Sequence, residues 1–438
     1  MKPLKKNQKL RLKPIDLSSS AMAVYKVEDF PIFVKDSLPQ EDTEIIVTKV
    51  LNRFGFGRAI QRYSDHPQRV QPDCPLYPQC GGCQMMHMSY EYQLDFKQQR
   101  VQDALRRNGD LNHEVLPTIP APDAWRYRNK VMIPVQHEPL RAGFYRTNSH
   151  DIVDMHECLI QSRQLNEIYQ EIKAFIQENN LTQVATIILR EGFYTQEVMV
   201  ALSLTRREED FKDAFIKSLS GFKNIKSIQL TYNLKQTNVP IGQEHKVIFG
   251  SPTITESILG IDYQISLNSF FQINSAQTEH LYSKVLELAQ IKPTDKVLDL
   301  YCGVGTMSML FAKGANTVVG VDIVKQAIED AKENARLNNI ENIDFVAMDA
   351  TKFVNDTNEE FDVLVVDPPR KGLSEQGIKD IITIAPKRMV YVSCNPDTLA
   401  RDLKLLSSTF NIELIQPLDM FPQTTHVETV VLITRVEK

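Results

Sequence analysis

The sequence predicts an α/β protein built from three units, the last of them a doubly wound sheet. The length of 438 residues suits roughly three domains. The C-terminal half alternates short apolar runs with helical patterns, as βαβ units do, whereas the first 62 residues carry strand patterns and no helical period. We therefore expect a small β-barrel over residues 1–62, a mixed α+β unit over 63–265 and the doubly wound unit over 266–438.

The composition excludes several classes of protein. Hydrophobic residues make up 42% and charged residues 24% of the chain, as in ordinary globular proteins, so a wholly disordered or fibrous chain is excluded. The 50 Lys and Arg are outnumbered by 55 Asp and Glu, which gives a net charge of −5. A protein whose whole surface is basic for binding nucleic acid is therefore not expected.

No targeting or membrane-spanning segment is expected. The basic residues 1–14 are not followed by the apolar run of a secretory signal. No run approaches the roughly 18 apolar residues that indicate a membrane span. The expected location is the cytoplasm, with no obligate protein partner evident. Thiols stay reduced there, so clustered cysteines indicate a metal site or catalysis rather than disulfides.

The first unit combines strands with an excess of positive charge. Strands are predicted at 9–13, over 23–34 with a break near Pro31, and at 45–50. The unit holds 12 Lys and Arg against 7 Asp and Glu, and six of the cations lie in the first 13 residues. This pattern predicts either a surface that contacts phosphates or a solvated, frayed terminus.

The central unit mixes strands with at least one helix. A helix is predicted at 96–107, and alternating apolar runs predict strands at 185–189 and 198–202. Residues from about 93 to 125 are candidates for packing against the catalytic half rather than the central unit.

The C-terminal unit has the most regular pattern. Its predicted parallel strands are 296–300, 317–321, 343–348, 362–366 and 388–393. Helical patterns lie between them, for instance at 325–337 and 398–406. Two final strands, 412–417 and 427–434, leave no room for a helix between them and predict an antiparallel closing hairpin.

Glycines and carboxylates follow consecutive predicted strands of this unit. Gly303 and Gly305 follow the first strand, where a tight turn lets the backbone approach a ligand at a helix start. Asp322 ends the second predicted strand and can accept hydrogen bonds from two ribose hydroxyls. Asp349 follows the third strand, where it would lie near an adenine edge, and Asp367 follows the fourth strand. Helix N-capping explains each Asp singly, but the set predicts a nucleoside crevice, for which S-adenosylmethionine is the best candidate.

Other nucleotides suit the crevice less well. The full dinucleotide fingerprint G-x-G-x-x-G is missing from the sequence, which weakens a dinucleotide-binding prediction. No Walker lysine follows the glycines, which argues against nucleotide hydrolysis.

Three side chains at the same sheet edge predict covalent catalysis. Two prolines follow Asp367 and fix a rigid turn that holds its carboxylate. Cys394 follows the neighbouring strand at a helix start, where the dipole stabilises a thiolate nucleophile; the alternative is an inert buried thiol, as we expect for Cys302. Glu428 interrupts an apolar strand, so it is either a buried general base with a raised pKa or a solvated residue on an outward face.

Methyl transfer to C5 of a pyrimidine needs these groups, because C5 is a poor nucleophile. Thiolate addition at C6 turns C5 into an enolate-like carbon that can attack a sulfonium methyl group. A base must then remove the C5 proton so that the thiolate can leave. Cys394, Glu428 and a carboxylate near N3 would supply these roles.

Four cysteines outside the catalytic half form a second candidate site. They are Cys74, Cys80, Cys83 and Cys158. The Pro and Gly residues between the first three allow tight turns, and four thiolates suit a [4Fe–4S] cluster or a structural zinc ion, with unpaired thiols as the alternative. The C-x3-C-x2-C spacing of radical methyl-donor enzymes does not occur here.

A basic, aromatic stretch follows the cysteines. Residues 125–130 and 143–146 interleave cations with rings, and residues 97–146 hold nine Lys and Arg against five Asp and Glu. Such stretches stack unpaired bases and contact phosphates. The alternative is a pair of strands with solvated charges.

These motifs together resemble the RNA 5-methyluridine (uracil-C5) methyltransferase family, in its iron–sulfur branch that acts on 23S ribosomal RNA. Besides the cysteine pattern, the resemblance rests on residues 126–130, 269–274, 299–306, 367–370, 393–396 and 426–428, and it covers nearly the whole chain. It implies an N-terminal TRAM domain, a central domain that holds a [4Fe–4S] cluster and a class I domain that uses S-adenosylmethionine.

The resemblance also implies residue roles. Cys394 corresponds to the nucleophile and Glu428 to the base. The methyl-donor and target-site positions correspond to Gln272, Tyr301, Asp322 and Asp367, and the cluster ligands to Cys74, Cys80, Cys83 and Cys158. Two features depart from the family: Asp322 stands where Glu is frequent and has a shorter reach, and the Gly-rich turn of the TRAM domain is missing near residues 20–23.

The sequence therefore predicts an enzyme that makes 5-methyluridine in 23S ribosomal RNA. Two alternatives stay open: a transfer-RNA 5-methyluridine methyltransferase, and a non-catalytic RNA-binding or assembly protein that keeps the fold as a scaffold.

Overall fold

Three large sheets and a small hairpin make up the β-structure of the computed structural model, which describes residues 4–436 except 236, 238, 243 and 358. The strands are β1 (Lys9–Leu12), β2 (Asp16–Leu17), β3 (Ala23–Val27), β4 (Phe30–Val34), β5 (Thr43–Val50), β6 (Gly55–Arg62), β7 (Lys130–Gln136), β8 (Arg141–Tyr145), β9 (Ile152–Asp154), β10 (Val184–Glu191), β11 (Val198–Leu204), β12 (Ile225–Tyr232), β13 (His245–Gly250), β14 (Thr253–Ile258), β15 (Ile261–Ser266), β16 (Lys296–Leu300), β17 (Thr317–Asp322), β18 (Ile343–Ala347), β19 (Val363–Val366), β20 (Arg388–Ser393), β21 (Phe410–Leu418) and β22 (Glu428–Arg435). The α-helices are α1 (Tyr90–Ala104), α2 (Arg163–Glu178), α3 (Lys212–Ser218), α4 (Ser275–Ala289), α5 (Thr306–Ala312), α6 (Lys325–Leu337), α7 (Ala350–Asp356), α8 (Glu375–Ile384) and α9 (Pro396–Leu406). Residues 1–3 and 437–438, which the predicted first and last units include, lie outside the described residues.

The C-terminal sheet has the predicted doubly wound form. Its strand order is β18-β17-β16-β19-β20-β22-β21, with the first five strands parallel and β22 antiparallel to both of its neighbours. Every residue of β19 is buried, as expected for a parallel strand covered on both faces. The strands begin and end within two residues of the predicted positions.

The first unit forms a six-stranded sheet in the order β1-β5-β6-β4-β3-β2. Alternate residues of its strands, such as Ile32 and Val34, point into one apolar core. The break that the sequence predicts near Pro31 lies at Glu28 and Asp29, between β3 and β4, and Glu28 adopts a left-handed φ of 54°. Pro31 lies within β4, where it needs no partner in β6 because that pairing begins at Ile32. The assignment of this unit as a barrel of TRAM type stays a prediction.

The central sheet has the order β13-β12-β11-β10-β7-β8-β9, with α2 and α3 packed into its core.

Helix α1 begins earlier than predicted, because the Ser89 hydroxyl accepts a hydrogen bond from the Tyr92 amide at 3.2 Å and caps the helix.

Two segments outside residues 266–438 pack into the core of the C-terminal sheet. Val101 and Ala104 of α1 share an apolar cluster with the strands of that sheet, and the Leu116 amide donates to the Ile415 carbonyl at 3.0 Å. The β14–β15 hairpin also contributes residues to the C-terminal core. The exact domain boundaries stay a prediction.

Within the part of the chain that the structure describes, none of the helices combines the length and apolar character needed to cross a membrane.

Candidate active site and cysteine site

The predicted catalytic residues meet at the carboxyl edge of the C-terminal sheet. Cys394 directly follows β20, and Asp367 directly follows the neighbouring strand β19. Glu428 is the first residue of β22, which lies on the other side of β20 and pairs Thr429 with Ser393. The strand order therefore places the thiol between the two carboxyl groups.

Burial controls the charge state of both carboxyl groups. Glu428 is 5% exposed, and this burial together with the nearby Asp367 holds the pKa of Glu428 well above its usual value. Burial also raises the pKa of Asp367 to about 7. Glu428 is thus buried rather than on an outward strand face, and it has the raised pKa that the sequence predicts for a base.

The Cys394 thiol is less acidic than the sequence predicts. Burial first, and then the charges of Glu428 and Asp367, raise the pKa of Cys394 to about 11, while Arg370 lowers it. We expected the start of α9 to favour a thiolate. Desolvation and two neighbouring carboxyl groups outweigh that effect, so the resting side chain is a thiol.

Arg370 lies beside the thiol and contacts His426, and the sequence predicts a role for neither of them. Arg370 Nη2 donates to His426 Nδ1 at 2.6 Å, and the Arg370 carbonyl accepts from Asn395 Nδ2 at 2.9 Å. Burial and the Arg370 charge lower the pKa of His426 to about 4, so its ring is neutral. Both belong to motifs around Asp367 and Glu428, which was the signal in the sequence, but only the folded chain brings them together.

The glycine turn after β16 lies against Asp322. Asp322 Oδ2 accepts from the Gly303 amide at 3.0 Å and Oδ1 accepts from the Val324 amide at 2.8 Å. Each carboxylate oxygen keeps a second lone pair for a hydroxyl group. Gly303 has a φ of 56°, and a Cβ there would meet no atom within 4 Å, so this side of the turn is open. Tyr301 beside it is half-buried and also left-handed, with a φ of 68°.

Asp349 serves as a helix cap. Its Oδ1 accepts from the Lys352 amide at 3.2 Å, at the start of α7. The capping alternative that the sequence left open is therefore present at this residue, which lies at the end of β18 on the same sheet edge.

Gln272 lies in the loop before α4, and Asn129 holds this loop. Asn129 Nδ2 donates to the Gln272 carbonyl at 3.1 Å and to Ser275 Oγ at 2.9 Å, and its amide donates to the Ile273 carbonyl at 2.9 Å. Part of the predicted base-stacking stretch is thus structural. Tyr127 is 4% exposed, so its ring cannot stack on RNA bases and that prediction is wrong for this residue. Tyr145, at 44% exposure, remains accessible.

The four predicted cluster ligands lie in one neighbourhood of the central unit. Cys74, Cys83 and Cys158 pack against a cluster of Met86, Tyr127 and Ile160. Burial and the charges of the other three thiols raise the pKa of Cys83 well above its usual value, and burial raises the pKa of Cys158 to about 11.

Donors and a cation surround these thiols. The Gly82 amide donates to Cys80 Sγ at 3.4 Å. Hydrogen bonds from the amides of Ile160 and Gln161 lower the pKa of Cys158. The charge of Arg128 lowers the pKa values of both Cys83 and Cys158. Such groups stabilise metal-bound thiolates. Within the described residues, however, no three His, Cys, Asp or Glu side chains converge closely enough to hold a single metal ion.

Comparison with known proteins gives a consistent result. Residues 89–436 match the family model described as tRNA (Uracil-5-)-methyltransferase. An uncharacterized RNA methyltransferase of Bacillus cereus is 42% identical, covering 100% of this chain and 98% of the relative. A second, from Halalkalibacterium halodurans, is 42% identical over 98% of both chains.

Similarity to solved structures extends over nearly the whole chain in the following case. It is the Pyrococcus abyssi tRNA (uracil-54, C5)-methyltransferase in complex with S-adenosyl-L-homocysteine, with a TM-score of 0.78 and 31% identity. The match covers 97% of this chain and 100% of that one.

Proposed function

The chain belongs to the tRNA (uracil-5-)-methyltransferase family and is an RNA (uracil-5-)-methyltransferase, and from that premise we propose that it forms 5-methyluridine in 23S ribosomal RNA. The observation that carries the uracil-C5 chemistry of this proposal is the grouping of Cys394, Asp367 and Glu428 at three adjacent strand ends. A thiol nucleophile with a buried base beside it is what transfer to C5 of uracil requires.

Cys394 is the proposed nucleophile. Its Sγ forms a bond to C6 of the uracil, which places negative charge on C5 and O4 and makes C5 able to accept a methyl group. Because the resting thiol has a pKa of about 11, it must give up its proton before attack, and the proposed acceptor is the ionised form of Asp367, whose pKa is about 7. Arg370 favours this loss, since its charge lowers the pKa of Cys394.

Glu428 is the proposed base. After C5 has gained the methyl group, the Glu428 carboxylate removes the C5 proton, the C6–Sγ bond breaks and the Cys394 thiolate is released. Asp367, whose pKa of about 7 keeps both protonation states accessible, is the proposed partner of the uracil N3–H and O4 edge.

The methyl donor is proposed to bind along the edge formed by the ends of β16, β17 and β18. S-adenosylmethionine, when bound, supplies a methyl group on a sulfonium. Asp322 would accept the ribose hydroxyls, the open side of Gly303 would admit the amino-acid part beside Tyr301, and Asp349 would meet the adenine. Gln272 is proposed to line the same crevice from the loop before α4.

We propose that Cys74, Cys80, Cys83 and Cys158 hold a [4Fe–4S] cluster. The support is the common neighbourhood of the thiols, their amide donors and the nearby Arg128. Protein purified without oxygen should be brown and contain about four iron atoms per chain. Colourless protein with stoichiometric zinc would refute the cluster.

Transfer RNA is the second candidate substrate. The similarity to the Pyrococcus abyssi enzyme, whose name specifies uracil-54 of tRNA, favours it. The ribosomal proposal rests instead on the resemblance of the cysteine pattern and the catalytic motifs to the ribosomal branch. The basic first unit suits either RNA.

Mapping 5-methyluridine in both RNAs tests the substrate. In a strain that lacks the protein, we expect 5-methyluridine to disappear from 23S ribosomal RNA and to return with the wild-type chain but not with Cys394→Ala. Loss of 5-methyluridine from transfer RNA alone would overturn the ribosomal assignment and leave the enzyme class intact.

A further inference from the structure

We propose that the cysteine site holds the catalytic base in position, with Gln93 and Tyr127 as the positioning residues. The inference rests on the proposed function, because it takes Glu428 as the base. It concerns residues 419–427, here named the base segment, which connect β21 to Glu428 at the start of β22.

The chain directly after Cys83 binds the base segment through the backbone. The amides of Gln84 and Met85 both donate to the Gln423 carbonyl at 3.0 Å. The side chain of Gln84 also accepts from the Thr425 amide at 3.4 Å. Residues adjacent in sequence to one proposed cluster ligand therefore contact the segment three to five residues before Glu428.

Tyr127 makes a second link. Its hydroxyl donates to the Pro422 carbonyl at 3.0 Å. Its ring belongs to the apolar cluster on which Cys74, Cys83 and Cys158 pack. A shift of the cysteine loops would thus move the ring whose hydroxyl group holds the base segment.

Gln93, which is 1% exposed, joins the two segments from α1. Its Nε2 donates to the Met85 and Met88 carbonyls at 3.2 and 3.1 Å and to Gln423 Oε1 at 3.0 Å. Its Oε1 accepts from the Gln423 amide at 2.9 Å. One buried side chain therefore satisfies polar groups of both the cysteine loop and the base segment.

These links give the cysteine site a structural part in catalysis. The loop after Cys83 is rich in turns, and four tethered thiolates would fix it. A fixed loop keeps Gln423 and Pro422 in place, and with them the backbone that leads into Glu428. A loosened segment should slow removal of the C5 proton while leaving attack by Cys394 intact, because Cys394 lies on a different strand.

The test uses the full-length protein with Tyr127→Phe and Gln93→Leu. The control is Tyr169→Phe, which also removes a hydroxyl that donates to buried carbonyls, those of Ala142 and Met155 at 2.8 Å, away from the base segment. Hydrogen exchange of residues 419–428 is measured by mass spectrometry. One lost hydrogen bond should speed exchange about fivefold in Tyr127→Phe, more in Gln93→Leu, and not in the control. Unchanged exchange in both variants would overturn the inference.

The catalytic readout is the covalent complex with unmodified RNA. Glu428→Gln cannot remove the C5 proton, so its methylated adduct through Cys394 should accumulate. Tyr127→Phe and Gln93→Leu should accumulate the same adduct at a lower level. If Glu428→Gln gives no adduct, the proposed function is contradicted. If Glu428→Gln gives the adduct but Tyr127→Phe and Gln93→Leu do not, only the inference about positioning is contradicted and the proposed function stands.

The last comparison tests the cysteine site itself. Wild-type protein is measured before and after anaerobic reconstitution with iron and sulfide. Reconstitution should slow exchange of residues 419–428 severalfold in the wild type and less in Gln93→Leu. Equal exchange in both preparations of the wild type would contradict a structural role of the site.

Discussion

At the scale of single residues, the charge balance around Cys394 determines its reactivity. Burial and two carboxyl groups hold the thiol protonated, and Arg370 opposes them. The same guanidinium donates to His426, and burial together with the Arg370 charge keeps that ring neutral. Arg370 also lowers the pKa of Glu428, so it acts on the protonation states of both the proposed nucleophile and the proposed base.

Replacing Arg370 should change the pH dependence of adduct formation. The thiolate is the reactive form and Arg370 lowers the pKa of Cys394, so Arg370→Met raises that pKa further. The rising limb of the rate then moves to higher pH, and the rate at neutral pH falls about tenfold for each pH unit that the limb moves. The rate of adduct formation is measured from pH 6 to 10. The exposed Arg435→Met serves as control, and identical profiles for both variants would contradict the assigned role.

The two cysteines of the catalytic half should behave oppositely. Cys394→Ala should reduce turnover by at least about a thousandfold while S-adenosylmethionine binding stays within about twofold, because the thiol makes a bond to RNA and none to the donor. Cys302→Ala, at a buried thiol beside Gly303, should keep most activity. Methylation rates and donor titration by calorimetry check both. Full turnover by Cys394→Ala would exclude the nucleophile role.

The catalytic residues could be predicted from the sequence because each directly follows or begins an apolar strand. The role of Arg370 could not, since its contact with His426 joins residues 56 positions apart. The misplaced role of Tyr127 has a similar cause: alternating rings and cations look alike whether the ring faces RNA or fills the gap beside the cysteines.

At the scale of elements, the parallel strands were predictable and the capped or irregular parts were not. Buried parallel strands are continuous apolar runs, so their ends are visible in sequence. The start of α1 depends on the Ser89 cap, and its end passes into a π-helical turn, Leu105–Gly109. The sequence places the turn at Glu28 slightly too late because Pro31 is the more obvious breaker, although Pro31 precedes the part of β4 that pairs with β6.

The turn between β16 and α5 should not tolerate a side chain at Gly305. Gly305 has a φ of 76°, and a Cβ there would lie 2.5 Å from the buried Phe345 ring. We expect Gly305→Ala to destabilise the protein by about 1–3 kcal/mol and to weaken donor binding about tenfold or more. Gly221→Ala, where a Cβ meets nothing within 4 Å, is the matched control. Urea unfolding and donor titration measure both, and equal stability of the two variants would be the contrary result.

At the scale of the whole molecule, a buried ion pair ties α1 to the catalytic sheet. Lys97 and Asp419 are both fully buried, and Lys97 Nζ also donates to the Phe421 carbonyl at 3.1 Å. The pair joins residues 322 positions apart at the start of the base segment. Such contacts explain why residues near 93–125 pack with the catalytic half, which strand patterns could only suggest.

Removing one partner of this pair should be costly. Lys97→Met leaves the Asp419 carboxylate buried without its cation, which should cost about 3–5 kcal/mol of unfolding free energy. Lys97→Met combined with Asp419→Asn should recover part of that loss. Lys404→Met, which breaks an exposed pair with Asp110, should cost at most about 1 kcal/mol. Chemical denaturation compares all three, and a loss for Lys97→Met no larger than the control would contradict the role of the pair.

The overall charge was a poor guide at this scale. A net charge of −5 conceals five more cations than acids in the first 62 residues. The sequence could show three units and a doubly wound sheet, because periodicity and charge are local. How the base segment is held between α1 and the cysteine loop depends on contacts across more than 300 residues, which no local pattern contains.

The most direct test of the proposed chemistry is covalent trapping with RNA that carries 5-fluorouridine. Fluorine at C5 cannot leave as a proton, so the bond between C6 and the thiol should persist after methyl transfer. With S-adenosylmethionine present, mass spectrometry should find the methylated, fluorinated nucleotide on the peptide that contains Cys394, and none in Cys394→Ala. RNA binding without any adduct, or an adduct on another residue, would contradict the account and favour a non-catalytic RNA-binding protein or a different nucleophile.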